Sequence, residues 1–197
     1  GLAFQATLPA ILLVPLMALA GMLGGALWAG IAALLKLRFN INEIITTLML
    51  NYIAEYTVLY LARGSLKDPD SFLPQSAQLT GAARLPTLFG TRVHIGVLIG
   101  LLLIPVIYLL LWKTPLGLRI RAIGASPTVA FAAGIQVTWG LVFVLLLSGA
   151  FAGLAGIFEV SALHTRLKDG ISGNYGFTGI LVALLGRLHP LGVLVAA

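Results

Sequence analysis

Cysteine is absent from this 197-residue chain, so it holds no disulfide, thiol nucleophile or Cys-ligated metal. Charge is scarce as well. Asp, Glu, Lys and Arg make up 9% of residues, against roughly 25% in soluble domains. Apolar residues reach 59% and mean hydropathy is +1.05, which excludes an ordinary soluble domain and leaves an integral membrane protein. Twelve basic residues outnumber six acidic ones, but they are scattered between apolar runs and form no patch, so nucleic acid is not an expected partner. They read instead as signals of topology. The chain also lacks a Gly-x-x-x-x-Gly-Lys-Ser/Thr phosphate cradle, which removes the usual route to binding ATP. His94, His164 and His189 stand apart near loops or ends, so no catalytic residue, metal or cofactor is assigned and the chain is not expected to be an enzyme. The sequence opens Gly1-Leu2-Ala3 and stops inside the apolar run "PLGVLVAA", the pattern expected of an internal fragment of a longer transporter-like chain.

What is present is a series of apolar segments long enough to cross a bilayer at about 20 residues each. Spans are expected over about 7–35, 39–62, 93–112 and 137–157, giving an all-α, polytopic helical bundle in one membrane domain. The run 177–185 is too short to cross and predicts a re-entrant half-helix, followed by "GRLHP" and a truncated span over 190–197. Lys36 and Arg38, and likewise Lys113, Arg119 and Arg121, lie in short acid-free links, which places both links in the cytoplasm. The segment 63–92 then faces outside, either as a docking surface for an external partner or as a loose connector.

The second span carries more polarity than lipid accepts. A charge at a bilayer centre costs about 2.5–3.5 kcal/mol on insertion scales, yet Asn40, Asn42, Glu43, Thr46, Thr47, Asn51 and Glu55 all fall in or beside it. On a helix, Asn40, Glu43, Thr47, Asn51 and Glu55 share about a third of the circumference. Glu43 is expected near the inner interface beside Lys36 and Arg38. Thr47, Asn51 and Glu55 either wall a polar substrate path or bond to neighbouring helices. No further acid is counted inside a span, which argues against proton coupling through a carboxylate relay.

Small residues mark close helix packing: Gly21 with Gly25, and Gly149 with Gly153, the latter ridge extended by Ser148, Ala152 and Gly156. Between the third and fourth spans, Ser126 suits an N-cap, Pro127 a first helical position and Gly134 a left-handed exit, delimiting a helix of about two turns. Its small apolar face, Val129, Ala130, Ala132 and Ala133 with Phe131 on the rim, follows the basic "LRIR". It either transmits motion from a cytoplasmic motor or rests on lipid headgroups.

The ordered blocks "NEIITTLMLNYIA", "TPLGLRIRAIGASPTVAFAAGI", "LSGAFAGLAGIFEV" and "GFTGILVALLGRLHPLGV" resemble the permease subunits of bacterial ABC importers of the branched-chain amino acid and simple sugar superfamily, and within it the nucleoside (guanosine-type) branch. The resemblance implies about ten spans per full chain, a multi-pass location in the bacterial inner membrane, and work as a pair with a second permease subunit. It also implies a cytoplasmic ATPase that binds ATP-Mg and an extracytoplasmic substrate-binding lipoprotein. The solute would be a nucleoside, or alternatively a simple sugar or branched-chain amino acid; an ion-coupled secondary transporter is the competing class. Carried onto this sequence, the resemblance makes Gly117, Arg119, Arg121, Gly124, Ser126, Pro127, Val129, Ala130, Phe131, Ala133 and Gly134 the ATPase-coupling block. Gly176, Phe177, Thr178 and Gly179 become the start of a half-helix whose positive end faces the path.

Overall fold

A computed structural model of the chain describes residues 10–69, 75–79, 85, 94–168 and 170–197. The order is α1 (Ala10–Phe39), α2 (Glu43–Arg63), α3 (Ile95–Lys113), α4 (Pro115–Ala125), α5 (Pro127–Ala132), α6 (Val137–Phe158), a π-helical turn (Glu159–His164), α7 (Tyr175–Leu185) and α8 (Pro190–Ala196). Among the described residues no strand forms, and isolated bridges join Lys67 to Ser76 and Gln75 to Lys168. Four helical stretches among the described residues are long and apolar enough to span a bilayer: Leu12–Phe39, Glu43–Arg63, Ile95–Lys113 and Val137–His164. The expected half-helix and final run form a bent pair, α7 and α8, with 116° between them. The all-helical, multi-pass membrane architecture therefore stands. The first expected turns, with Pro9, lie outside the described residues, while Pro15 sits inside α1.

Two compact units share the chain, one made of Gly1–His94 and Leu145–Ile171, the other of Ile95–Val144 and Ser172–Ala197. In the first, α1 meets α6 through glycine. A Cβ on Gly25 would collide with the carbonyl oxygen of Gly149 and come within 2.9 Å of the Gly153 backbone, and one on Gly153 would collide with the Gly21 carbonyl. Backbones can approach this closely only where side chains are missing, which is how helices associate where no water is available to drive them together. The expected ridge is narrower than its pattern: a Cβ on Gly156 would meet nothing within 4 Å, and Ser148 and Ala152 are exposed. Those residues share the small-residue spacing but flank the seam.

The expectation that Asn40 belongs to the polar helix is corrected. Lys36 and Arg38 lie in the last turn of α1, and Asn40 follows at φ 51, donating its N–H to the Lys36 carbonyl at 3.0 Å. Asparagine tolerates this left-handed exit better than most residues. Asn42 then caps α2, its side chain accepting from the Ile44 N–H at 2.9 Å. The tight turn brings Lys36 to Glu43, Nζ to Oε2 2.8 Å, as the neighbouring charges suggested.

The segment after α2 is no loose connector over its described residues. Ser76 and Leu79 donate backbone N–H groups to the carbonyls of Leu167 and Thr165 at 2.8 and 2.9 Å, and the Leu85 N–H reaches Ser161 O at 3.2 Å. Leu79 packs with Leu13 and Met17, joined by Ile157 and Val160. Arg166 pairs with Asp68 at 2.8 Å, both partly buried.

Candidate functional site

On α2 the face Thr46, Leu50, Ala54, Val58 and Ala62 is buried or half-buried, and α1 packs against this helix. One residue further on at each turn lie Thr47, Asn51 and Glu55, all exposed. The stripe therefore runs beside the packed face. Thr47 satisfies its own hydroxyl by donating to the Glu43 and Ile44 carbonyls at 2.9 and 3.0 Å, and Thr46 and Thr57 do likewise with Asn42 and Ile53. Such back-bonding lets a hydroxyl sit in an apolar span cheaply. Asn51 and Glu55 make no such bond among the described residues, so their polarity is presented outward. The other expected path residues belong to the second unit. There α7 starts two residues earlier than its apolar run suggests, after Gly173 and Asn174 at φ 48 and 60. Gly176, Phe177, Thr178 and Gly179 are exposed, and Asn174 supplies no side-chain cap. Thr178 turns its hydroxyl back onto the Asn174 and Tyr175 carbonyls at 3.1 and 3.2 Å.

The inner-loop element is larger than expected. The basic stretch read as a loop is the helix α4, and Ser126 ends α4 and caps α5 at once. Thr114 makes the corner after α3: its hydroxyl donates to the Leu110 carbonyl at 2.5 Å and accepts from the Gly117 N–H at 3.1 Å. Gly117 is buried there, and a Cβ would strike the carbonyls of Leu110 and Leu111, so glycine lets α4 fold back onto the end of α3. Gly124 has open space instead. Ser126 Oγ accepts from the Val129 N–H at 3.4 Å, and Pro127 takes the first helical position. At the exit Gly134 has φ 78, its N–H bonds the Phe131 carbonyl at 2.9 Å, and the Ile135 N–H bonds the Ala130 carbonyl at 3.0 Å. That pair of bonds is a Schellman closure. Most of the small apolar face is open. Only Ala130 is buried; Val129 and Phe131 are 67% and 74% exposed, and Ala132 and Ala133 are open. Arg119 and Arg121 are exposed on α4.

Sequence reasoning missed Glu159. The fourth span runs past its expected end through the π-turn, which carries this acid and brings His164 Nε2 to 3.1 Å from its Oε1. Residues five apart point well away from each other on an α-helix, but the wider π-turn returns them to one side. The Glu159-to-His164 spacing was therefore visible, and its meaning was not. His189 is not isolated either, since its ring meets Trp112 edge-on at 4.6 Å.

The sequence profile of the family described as branched-chain amino acid transport system / permease component matches residues 1–197. The chain belongs to that permease family. It is 38% identical to a glucose ABC transporter permease protein of Haloferax volcanii over 98% of this chain and 54% of that protein. It is 33% identical to a guanosine ABC transporter permease protein of Bacillus subtilis over 96% and 56%, and 29% identical to a nucleoside ABC transporter permease protein of Lactococcus lactis over 96% and 55%. The chain spans about half the length of the curated relatives it matches. No solved structure matches it.

Proposed function

We propose that this permease chain forms part of the membrane pathway of an ABC importer, driven by a separate cytoplasmic ATPase and supplied by an extracytoplasmic binding protein. The observation that carries this reading is α5, a short helix closed at both ends by its own hydrogen bonds and holding Val129 and Phe131 away from the rest of the chain. A capped, rigid turn with exposed apolar side chains is a handle that a partner can grip and move as one body. α4 and its Gly117 corner would pass that motion to α3. Thr47, Asn51 and Glu55 in the first unit would line the solute's route, and Gly176 to Gly179 are a separate candidate for that role within the second unit. Unpartnered amide and carboxylate groups suit a small neutral solute rich in hydroxyls, the chemistry shared by glucose and guanosine, and we favour a nucleoside. A second permease subunit would complete the path in a plasma membrane.

The test is Phe131→Glu in the full-length subunit assembled with its ATPase. Because Phe131 is exposed, the substitution should leave insertion and permease assembly intact while abolishing solute-stimulated ATP hydrolysis. Unchanged uptake by reconstituted vesicles would remove α5 from coupling, and uptake driven by an ion gradient without any ATPase would replace the importer reading altogether.

A further inference from the structure

The second unit contains Lys113, Arg119, Arg121 and Arg187 and not one Asp or Glu. Cations at a membrane boundary need water, an interface or an anion, and this unit offers no internal anion. One of them, Arg121, lies over an indole. Trp112, at the end of α3, stacks with Tyr108 at a ring separation of 5.5 Å, and the Arg121 guanidinium carbon lies 5.2 Å from the Trp112 ring centre. His189 meets Trp112 edge-on at 4.6 Å and Tyr108 at 5.8 Å. Since α8 packs on α3, this contact fastens the α7–α8 turn to the α3 end, and Arg187, exposed at φ 55, comes with it. The excess of basic residues puts this end at the cytoplasmic face. Leu109, Leu116, Leu118, Leu185 and Leu188 on the neighbouring turns are all exposed.

We propose that this end of the second unit is a binding site for an anionic phospholipid of the inner leaflet. Arg121, held against the indole by a cation–π contact, keeps its N–H donors free for phosphate oxygens, and Arg187 supplies the second positive charge. Trp112 and His189 form an amphipathic platform at headgroup depth. The exposed leucines favour a lipid over free phosphate or an acidic protein surface, because acyl chains cover apolar area that a soluble anion would leave wet. Basic pockets between helices on this side of a membrane are the recurring form of anionic headgroup sites. The inference does not depend on which solute the permease carries.

The experiment uses the full-length subunit in nanodiscs of phosphatidylglycerol and phosphatidylcholine, counting retained lipid by native mass spectrometry. Arg121→Gln and Arg187→Gln should each lower phosphatidylglycerol retention about five-fold, and more when combined, with phosphatidylcholine unchanged and Arg121→Lys retaining most of the binding. Arg187 lies on an exposed turn, so its variant tests the site even if Arg121→Gln fails to fold. Undiminished phosphatidylglycerol retention in the double variant would overturn the proposal. So would an equal loss of both lipids, or a loss of ATPase co-purification in lipid-free detergent with lipid retention intact, which would assign the surface to the ATPase.

Discussion

Gly25→Ala should destabilise the full-length subunit where Gly24→Ala does not. The two residues are neighbours on α1, so hydropathy changes alike and both gain the ~1 kcal/mol of helix propensity that alanine has over glycine. Their surroundings differ. A Cβ on Gly24 meets no atom within 4 Å, while one on Gly25 runs into the Gly149 carbonyl and lies 2.9 Å from the Cα and N of Gly153. A backbone cannot swing aside like a rotamer, and carbon contacts are comfortable only from about 3.5 Å, so α1 and α6 would have to part by roughly 1 Å. Overpacking of this kind costs about 1–3 kcal/mol, or about 5–150-fold in the folding equilibrium relative to Gly24→Ala. Titration of each variant with SDS in mixed micelles, followed by tryptophan fluorescence, measures the difference. Coincident midpoints would refute the glycine seam between α1 and α6.

A parallel comparison tests the corner between α3 and α4. Gly117→Ala should lower the thermal midpoint by an amount worth about 1–3 kcal/mol, because its Cβ strikes two backbone carbonyls, while Gly124→Ala, with open space around its Cβ, should not lower it. On α2, Asn51→Leu removes an exposed amide that makes no bond within the chain, so expression and assembly should hold while uptake efficiency falls about five-fold, the worth of about one hydrogen bond. Normal uptake kinetics would take Asn51 off the solute's route.

How much was legible depended on the range over which each feature is decided. The Ser126, Pro127 and Gly134 signals located α5 because caps are made by residues within a few positions of one another. Lys36 found Glu43 for the same reason, across one tight turn. Local pattern failed where two local readings competed. Asn40 fits a helical stripe and also a left-handed exit, and the turn won because α1 must stop before α2 can return along it. The "LRIR" stretch looked like a charged link, yet a Thr-Pro start and a buried Gly117 fold it into α4. Glu159 and His164 needed a π-turn to face each other, and that turn is tied to a distant segment through Leu85.

The sequence alone determined that this protein is a multi-pass helical membrane permease. Transfer into lipid is a sum over consecutive residues, so the presence of several apolar helices is written along the chain. Only the tertiary structure decided which glycines touch, which side of α2 stays open, how the segment after α2 is moored to residues 161–168, and that His189 and Arg121 share one indole. Those outcomes rest on close approach between residues far apart in sequence. Identical motifs such as Gly149, Gly153 and Gly156 become different once a partner backbone lies against some of them and open space against another.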